Sequence, residues 1–210
     1  MNIQLFFKDF IKKLKIYGDK IAYLQLGGKL EDYLVKEFCY ALFEKSNGEL
    51  FSVTNLGNKG EQRIDICVVK GEDLDDPTNL RIIELIEAKY FTNTHEWRTN
   101  LTDEDISKAM NRLNKQMNYI EKDKIRHGWL QLNSDVDRID GLVFASYVGS
   151  EENEIKKEKY FERVLQKAKE TLNNIDSEHL ILEPIFDDIR IMLANKTRYV
   201  SLRAGLWMLN

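Results

Sequence analysis

Arg81-Ile82-Ile83-Glu84-Leu85-Ile86-Glu87-Ala88-Lys89-Tyr90 is the stretch that decides how the chain is read. It is rich in isoleucine, which suits a buried strand, and side chains along a strand alternate between faces. Ile83, Leu85, Glu87 and Lys89 are therefore expected on one face. Glu87 and Lys89 would stand about 7 Å apart along the strand, at ~3.3 Å per residue. Two core residues thus lead directly into a carboxylate and an amine. Such a charged pair is expensive in a core unless something uses it.

Asp65 has the same character. It interrupts Ile64-Asp65-Ile66-Cys67-Val68-Val69, an otherwise apolar run, although aspartate is disfavoured in strands. Glu31 can be tested by helical geometry. At roughly 100° per residue with Leu30 at zero, Glu31 falls at about 100°, between Phe38 at about 80° and Leu42 at about 120°. It is a carboxylate on the apolar face, close to the start of its helix. Three acids and a lysine thus occupy places where a core prefers aliphatics. A divalent cation is one partner that meets several carboxylates at once, and oxygen ligands suit Mg²⁺ or Mn²⁺.

Around these residues the pattern predicts helices over 2–17, ended by Gly18, and over about 28–45, stopped by Asn47-Gly48. Strands are expected over 51–54, 63–69 and 81–90. Thr102 opens a third helix, running to about Lys124, with Asp103, Glu104 and Asp105 in its first turn. A strand at 139–148 and a charged helix over about 151–173 follow. The tail reads as a short strand at 180–182, then a helix or mixed segment from Phe186, with 199–209 as a further strand. The order implies one α/β domain over 1–210, a central mixed sheet flanked by helices.

Composition bounds the alternatives. With 210 residues and 43% hydrophobic content the chain can bury one sizeable core, and only 2 Pro and 11 Gly argue against long linkers. The formal net charge of -4 gives no bulk signature of nucleic-acid binding, although a local basic stripe could still grip phosphates. Cys39 and Cys67 are too few for a four-cysteine zinc site and are expected as small buried hydrophobes without a disulfide. His95, His127 and His179 form no zinc pattern. The segment from Met1 to Leu14 carries Lys8, Asp9, Lys12 and Lys13, unlike a signal peptide, and no apolar run is long enough to span a bilayer. A cytoplasmic protein is expected, with no membrane partner.

The helix glutamate Glu31, the strand aspartate Asp65 and Glu87-Ala88-Lys89 on the next strand resemble the PD-(D/E)XK nuclease superfamily. The resemblance covers about 27–148, where the order helix, three strands, helix, strand also agrees. The residue before the aspartate is Ile64, where a proline often stands. A restriction-endonuclease-like fold is implied. So is a metal-dependent nuclease, with DNA as the expected nucleic acid. Asp65 and Glu87 would bind Mg²⁺ or Mn²⁺ with the Ala88 carbonyl as a further ligand, and Glu31 would be an additional ligand or contact a metal-bound water. Lys89 would position the attacking water. Gln116, beside the buried arc of the third helix, is the candidate for the glutamine that some members use there. The resemblance implies roles in restriction, repair or recombination, or anti-phage defence, and the acidic charge and small size favour a nuclease that works with a partner protein or as a homodimer. The alternative is the same fold repurposed as a non-catalytic module for nucleic-acid binding or assembly. Glu-x-Lys alone carries little, since Glu154-Ile155-Lys156 repeats it in a charged helix.

Other residues have ordinary explanations beside functional ones. Lys108, Arg112, Lys115 and Tyr119 line a polar helix face that could track phosphates. Tyr90, Phe91, His95, Trp97 and Arg98 could stack on bases or simply pack a loop. Lys122, Lys124, Arg126 and His127 form a second basic cluster. Trp129 and Trp207 are expected in a core or an interface.

Overall fold

A computed structural model describes residues 3–26, 30–56, 64–71, 81–93, 102–119, 126–127, 130–132, 139–171, 181–193 and 195–208. The chain begins with three helices, α1 (Ile3–Ile16), α2 (Gly18–Leu26) and α3 (Leu30–Lys45). Strands β1 (Leu50–Leu56), β2 (Ile64–Lys70) and β3 (Arg81–Thr92) follow, then α4 (Asp103–Tyr119). Two short strands, β4 (Arg126–His127) and β5 (Leu130–Leu132), precede β6 (Ile139–Gly149) and α5 (Glu154–Thr171). The tail is a hairpin of β7 (Glu183–Leu193) and β8 (Lys196–Met208).

The main sheet runs β1-β2-β3-β6-β8-β7, with β5 beside the start of β3 and β4 beside β5. Along that main path β3 and β6 are parallel and the other pairings antiparallel, so the sheet is mixed. Parallel neighbours need a crossover, and α4 lies in the segment that connects them. Both faces are covered. Leu85, Val143 and Ala145 pack with Ile106 and Met110 of α4 and Phe161 of α5. Ile86, Leu142 and Phe144 pack beneath Phe10 of α1 and Leu34 and Phe38 of α3. Trp207 is a core residue.

Local chemistry explains the helix limits. Thr102 Oγ1 accepts the Asp105 N–H while Asp105 Oδ2 accepts the Thr102 N–H, a reciprocal cap at the start of α4. Asn153 Oδ1 caps α5 by accepting the Lys156 N–H, so that helix starts at Glu154 rather than 151. Asn47 and Gly48 end α3 with φ of 52° and 84°, and the Gly48 N–H bonds Phe43 O.

Four expectations need correction. Gly18 does not end the helical region. It opens α2, where a Cβ would come within 2.7 Å of Ile189 Cδ1, so its lack of a side chain lets the helix start sit on β7. The segment from Phe186 is a strand, not a helix. Its register against β8 shifts twice, and Asp188 has φ 50°, so Phe186, Ile189 and Ile191 reach one cluster without a period of two. The segment at 181–182 lies outside the strands, β7 beginning at Glu183. Finally, Val68 pairs with Glu84 but Val69 pairs with Ile82, which makes Ile83 an extra residue in β3. The bulge moves Ile83 to the α3 side, and Ile82 takes the place expected for it on the Leu85 face.

The bulged strand β7 is anchored by charge. Lys157 of α5, 2% exposed, meets Asp188 at 2.5 Å, Glu154 at 2.7 Å and Asp187 at 3.6 Å. Ser201 Oγ accepts the Asp188 N–H at 2.8 Å. Among the described residues no helix is long and apolar enough to cross a membrane.

The aromatic contacts under α3 give a stability test. Phe38 meets Phe6 and Phe10 edge-on, with ring centroids 5.0 and 5.2 Å away, and is fully buried. Phe38→Ala should cost about 3–5 kcal/mol in urea unfolding, the range for a large aromatic lost from a packed core. A cost near zero would mean that α1 and α3 do not share this core.

Candidate active site

Asp65, Glu87 and Lys89 come together where β2 begins and β3 enters its second half. The described β2–β3 ladder ends at the Ile66–Ile86 pair. Just beyond it, Asp65 Oδ2 accepts the Ala88 N–H at 2.8 Å. A carboxylate thus takes the place that a β2 carbonyl would hold, and the strand's polar group stays satisfied.

Glu87 follows Leu85 on the same face and is 1% exposed. Its Oε2 has no hydrogen-bond partner among the described residues. Burial, followed by the charge and hydrogen bond of Asp65, pushes its pKa up to about 9, against the opposing pull of Lys89. Lys89 Nζ lies 3.6 Å from Asp65 Oδ2 and 3.8 Å from Glu87 Oε2. It donates a hydrogen bond to the Ala88 carbonyl at 2.8 Å. Two carboxylates therefore share one ammonium group, and the more deeply buried carboxylate is undercompensated.

Glu31 stands in the first turn of α3, a position the helix dipole favours for an acid. Burial raises its pKa to about 7, with Lys89 lowering it and Asp65 raising it further. The helix glutamate therefore senses the strand residues electrostatically. It does not close a ring of ligands with them. Among the described residues no three His, Cys, Asp or Glu side chains form a group that could hold a metal ion. The structure thus assembles the Asp65–Glu87–Lys89 part of the expected site and leaves Glu31 in its outer field. Gln116 belongs to α4, but its side chain lies outside the described residues.

Tyr90 and Phe91 are not free to stack on bases. Tyr90 Oη shares a 2.6 Å hydrogen bond with Ser146 Oγ, and desolvation holds its pKa above the ordinary value. Phe91 is in the core. Lys108 is exposed and pairs with Glu104 at 2.6 Å, and Arg112 is exposed. His95, Trp97, Arg98, Lys122, Lys124, Trp129 and His179 lie outside the described residues, as do the side chains of Lys115, Tyr119, Arg126 and His127. Cys39 and Cys67 are free, and burial pushes the Cys67 thiol up to about 12, so it is an inert core residue. Glu154 and Lys156 sit on the exposed side of α5, far from the pattern's strand setting.

A polar cluster behind the site was not visible in the sequence. Gln25 Nε2 donates to Thr92 Oγ1 at 3.0 Å, in the interior. Gln25 lies on α2, in the interval between the two helices that the sequence pattern predicts. A helix start at Asp19, with Ile21 and Ala22 as its buried face, is the signal that could have revealed it.

No family model, no curated protein and no solved structure matches the chain.

The buried carboxylate makes a direct prediction. A carboxyl whose pKa is raised on folding contributes its full stability below the ordinary value of 4.5 and loses it as pH climbs through about 9. Glu87→Gln keeps the shape and removes the charge. With a chelator present, the variant should melt above the wild type near pH 9, and the gap should close toward about pH 5. A gap independent of pH would mean that Glu87 carries no uncompensated charge.

Proposed function

We propose that this chain is a metal-dependent nuclease of the PD-(D/E)XK type, with a restriction-endonuclease-like fold, hydrolysing phosphodiester bonds in DNA. The observation that carries this is the buried Glu87 carboxylate beside Asp65, with one oxygen left without a hydrogen-bond partner and Lys89 as their shared cation. A purely structural network would be expected to satisfy its buried acid, because a buried polar oxygen without a hydrogen bond is costly. The order α3, β1, β2, β3, α4, β6 also supports the reading, with the small β4–β5 pair inserted before β6.

The donor set fits a hard divalent cation. Mg²⁺ is commonly held by one or two carboxylates and completes its shell with waters and phosphate oxygens. Asp65 and Glu87 supply that pair, and a third protein acid is not required. Bound there, Mg²⁺ or Mn²⁺ would supply a Lewis acid that polarises the phosphoryl oxygen and acidifies a water. Asp65 keeps its bond to the Ala88 amide, which fixes the carboxylate against the strand. Lys89 would orient the attacking water and offset negative charge building on the phosphorus centre. Glu31, at the head of α3, would accept a hydrogen bond from a water in the same shell. The net charge of -4 supports a nuclease that works with a partner protein that adds grip on nucleic acid, as in restriction or anti-phage defence.

The test is cleavage of plasmid, linear single-stranded DNA and RNA with Mg²⁺ or Mn²⁺. Asp65→Ala and Lys89→Ala should each lower the rate by about 10²–10⁴-fold, without loss of fold by circular dichroism. Full activity in either variant would sink the assignment. A wild type that neither cuts nor gains melting temperature from Mn²⁺ would instead favour the non-catalytic module.

A further inference from the structure

Beyond Lys89, β3 continues into an unusually polar interior. Gln25 of α2 is 6% exposed, Thr92 of β3 5% and Ser146 of β6 fully buried, in an interior otherwise lined by aliphatic and aromatic side chains. Gln25 Nε2 donates to Thr92 Oγ1, and Tyr90 Oη shares a hydrogen bond with Ser146 Oγ. Asn93 adds a third tie, its amide group bonding Val148 O at 2.9 Å and the Val148 N–H at 2.7 Å. Buried amides and hydroxyls need partners, and an apolar core would hold these elements together without that demand. The Gln25 Oε1 atom is itself buried and lacks a hydrogen-bond partner among the described residues.

The places of these residues suggest what the bonds hold. Gln25 precedes Glu31 by six positions, at the end of α2, and Thr92 follows Lys89 by three, at the end of β3. The Gln25–Thr92 bond therefore joins the chain segment that leads into the Glu31 helix to the strand that carries Glu87 and Lys89. The Tyr90 hydroxyl, anchored on Ser146, feels the charge of Glu31 as a minor influence beside its own burial. We propose that Gln25 and Thr92 form a positioning clamp that fixes Glu31 relative to Glu87 and Lys89. They touch no reacting atom and act through Glu31. The proposal rests on the nuclease reading only for its activity readout.

Thr92→Val keeps the shape and removes the hydroxyl, Thr92→Ser keeps the hydroxyl, and Gln25→Leu removes the donor. DNA cleavage with Mn²⁺ should show an about 10–100-fold fall in kcat for Thr92→Val and Gln25→Leu with KM little changed, the scale of a small misplacement. Thr92→Ser should retain activity. In a Glu31→Gln background, Thr92→Val should cost nothing further, because the acid it positions is gone. An equal cost in both backgrounds, or a loss in Thr92→Ser as large as in Thr92→Val, would overturn the clamp. Amide hydrogen exchange judges it independently of chemistry. Thr92→Val should speed exchange across Leu30–Leu34 while Thr92→Ser does not, and unchanged exchange in Thr92→Val would overturn the clamp. If the wild type neither cuts nor gains melting temperature from Mn²⁺, the nuclease reading falls and the clamp is decided by exchange alone.

Discussion

Between β2 and β3 the main-chain ladder gives way to a side chain. Asp65 Oδ2 takes the Ala88 N–H at 2.8 Å, and from that point the two strands are joined by a carboxylate rather than by a carbonyl. The consequence spreads outward. The carboxylate has a fixed direction, since the amide it serves belongs to the rigid middle of the sheet, where β3 is paired with β6 from Leu85 to Thr92. Glu87, one residue before that amide, is turned into the core beside Asp65. Lys89, one residue after it, reaches back over the Ala88 carbonyl and lies between 3.6 and 3.8 Å from the two acids. The positions of Asp65, Glu87 and Lys89 are therefore set by one strand and one hydrogen bond.

Such rigidity has a cost in stability, and the structure shows where it is offset. Glu87 is buried with an orphaned oxygen, and Glu31 is half-buried with its pKa raised to about 7. Both would be easier to accommodate as leucine. The two aromatic and aliphatic layers absorb that penalty, with Phe10, Phe38 and Phe144 packed edge-on under α1 and α3 and Trp207 and Phe161 filling the opposite face. Lys157, by contrast, is deeply buried among three carboxylates and is fully engaged. The difference between a satisfied buried charge and an unsatisfied one separates the anchoring of β7 from the candidate site.

The parts of the fold that follow one periodicity were legible in the sequence. Leu30, Leu34, Phe38, Ala41 and Leu42 lie on the buried face that the helical wheel of α3 requires, and Thr102 caps α4. The β3 strand and its Glu87–Lys89 pair emerged from alternation alone. Three features escaped because the period is broken. The bulge at Ile83 reverses the faces upstream of Glu84, so the residue expected beside Leu85 was off by one. The double register shift in β7 breaks the period of two, so Phe186, Ile189 and Ile191 do not read along the chain as one face of a strand. Gly18 reads as a helix stop, and only its contact with Ile189 shows that it starts another helix. Which acids share an ammonium group, and that Glu31 stays outside a three-acid group, depends on distances that spacing along a chain does not encode.

The irregularity of β7 has a further meaning at the scale of many molecules. It is the last strand on its side of the sheet, where exposed main-chain groups can template the addition of strands from other chains. Its two register shifts, the left-handed Asp188 and the acidic pair Asp187–Asp188 spoil that template. The opposite margin, β1, has an even register with β2 over Leu50–Leu56 and carries no charged residue in Leu-Phe-Ser-Val-Thr-Asn-Leu. Among the described residues, edge-to-edge addition is therefore disfavoured by backbone geometry at the β7 margin, while β1 offers the more regular template.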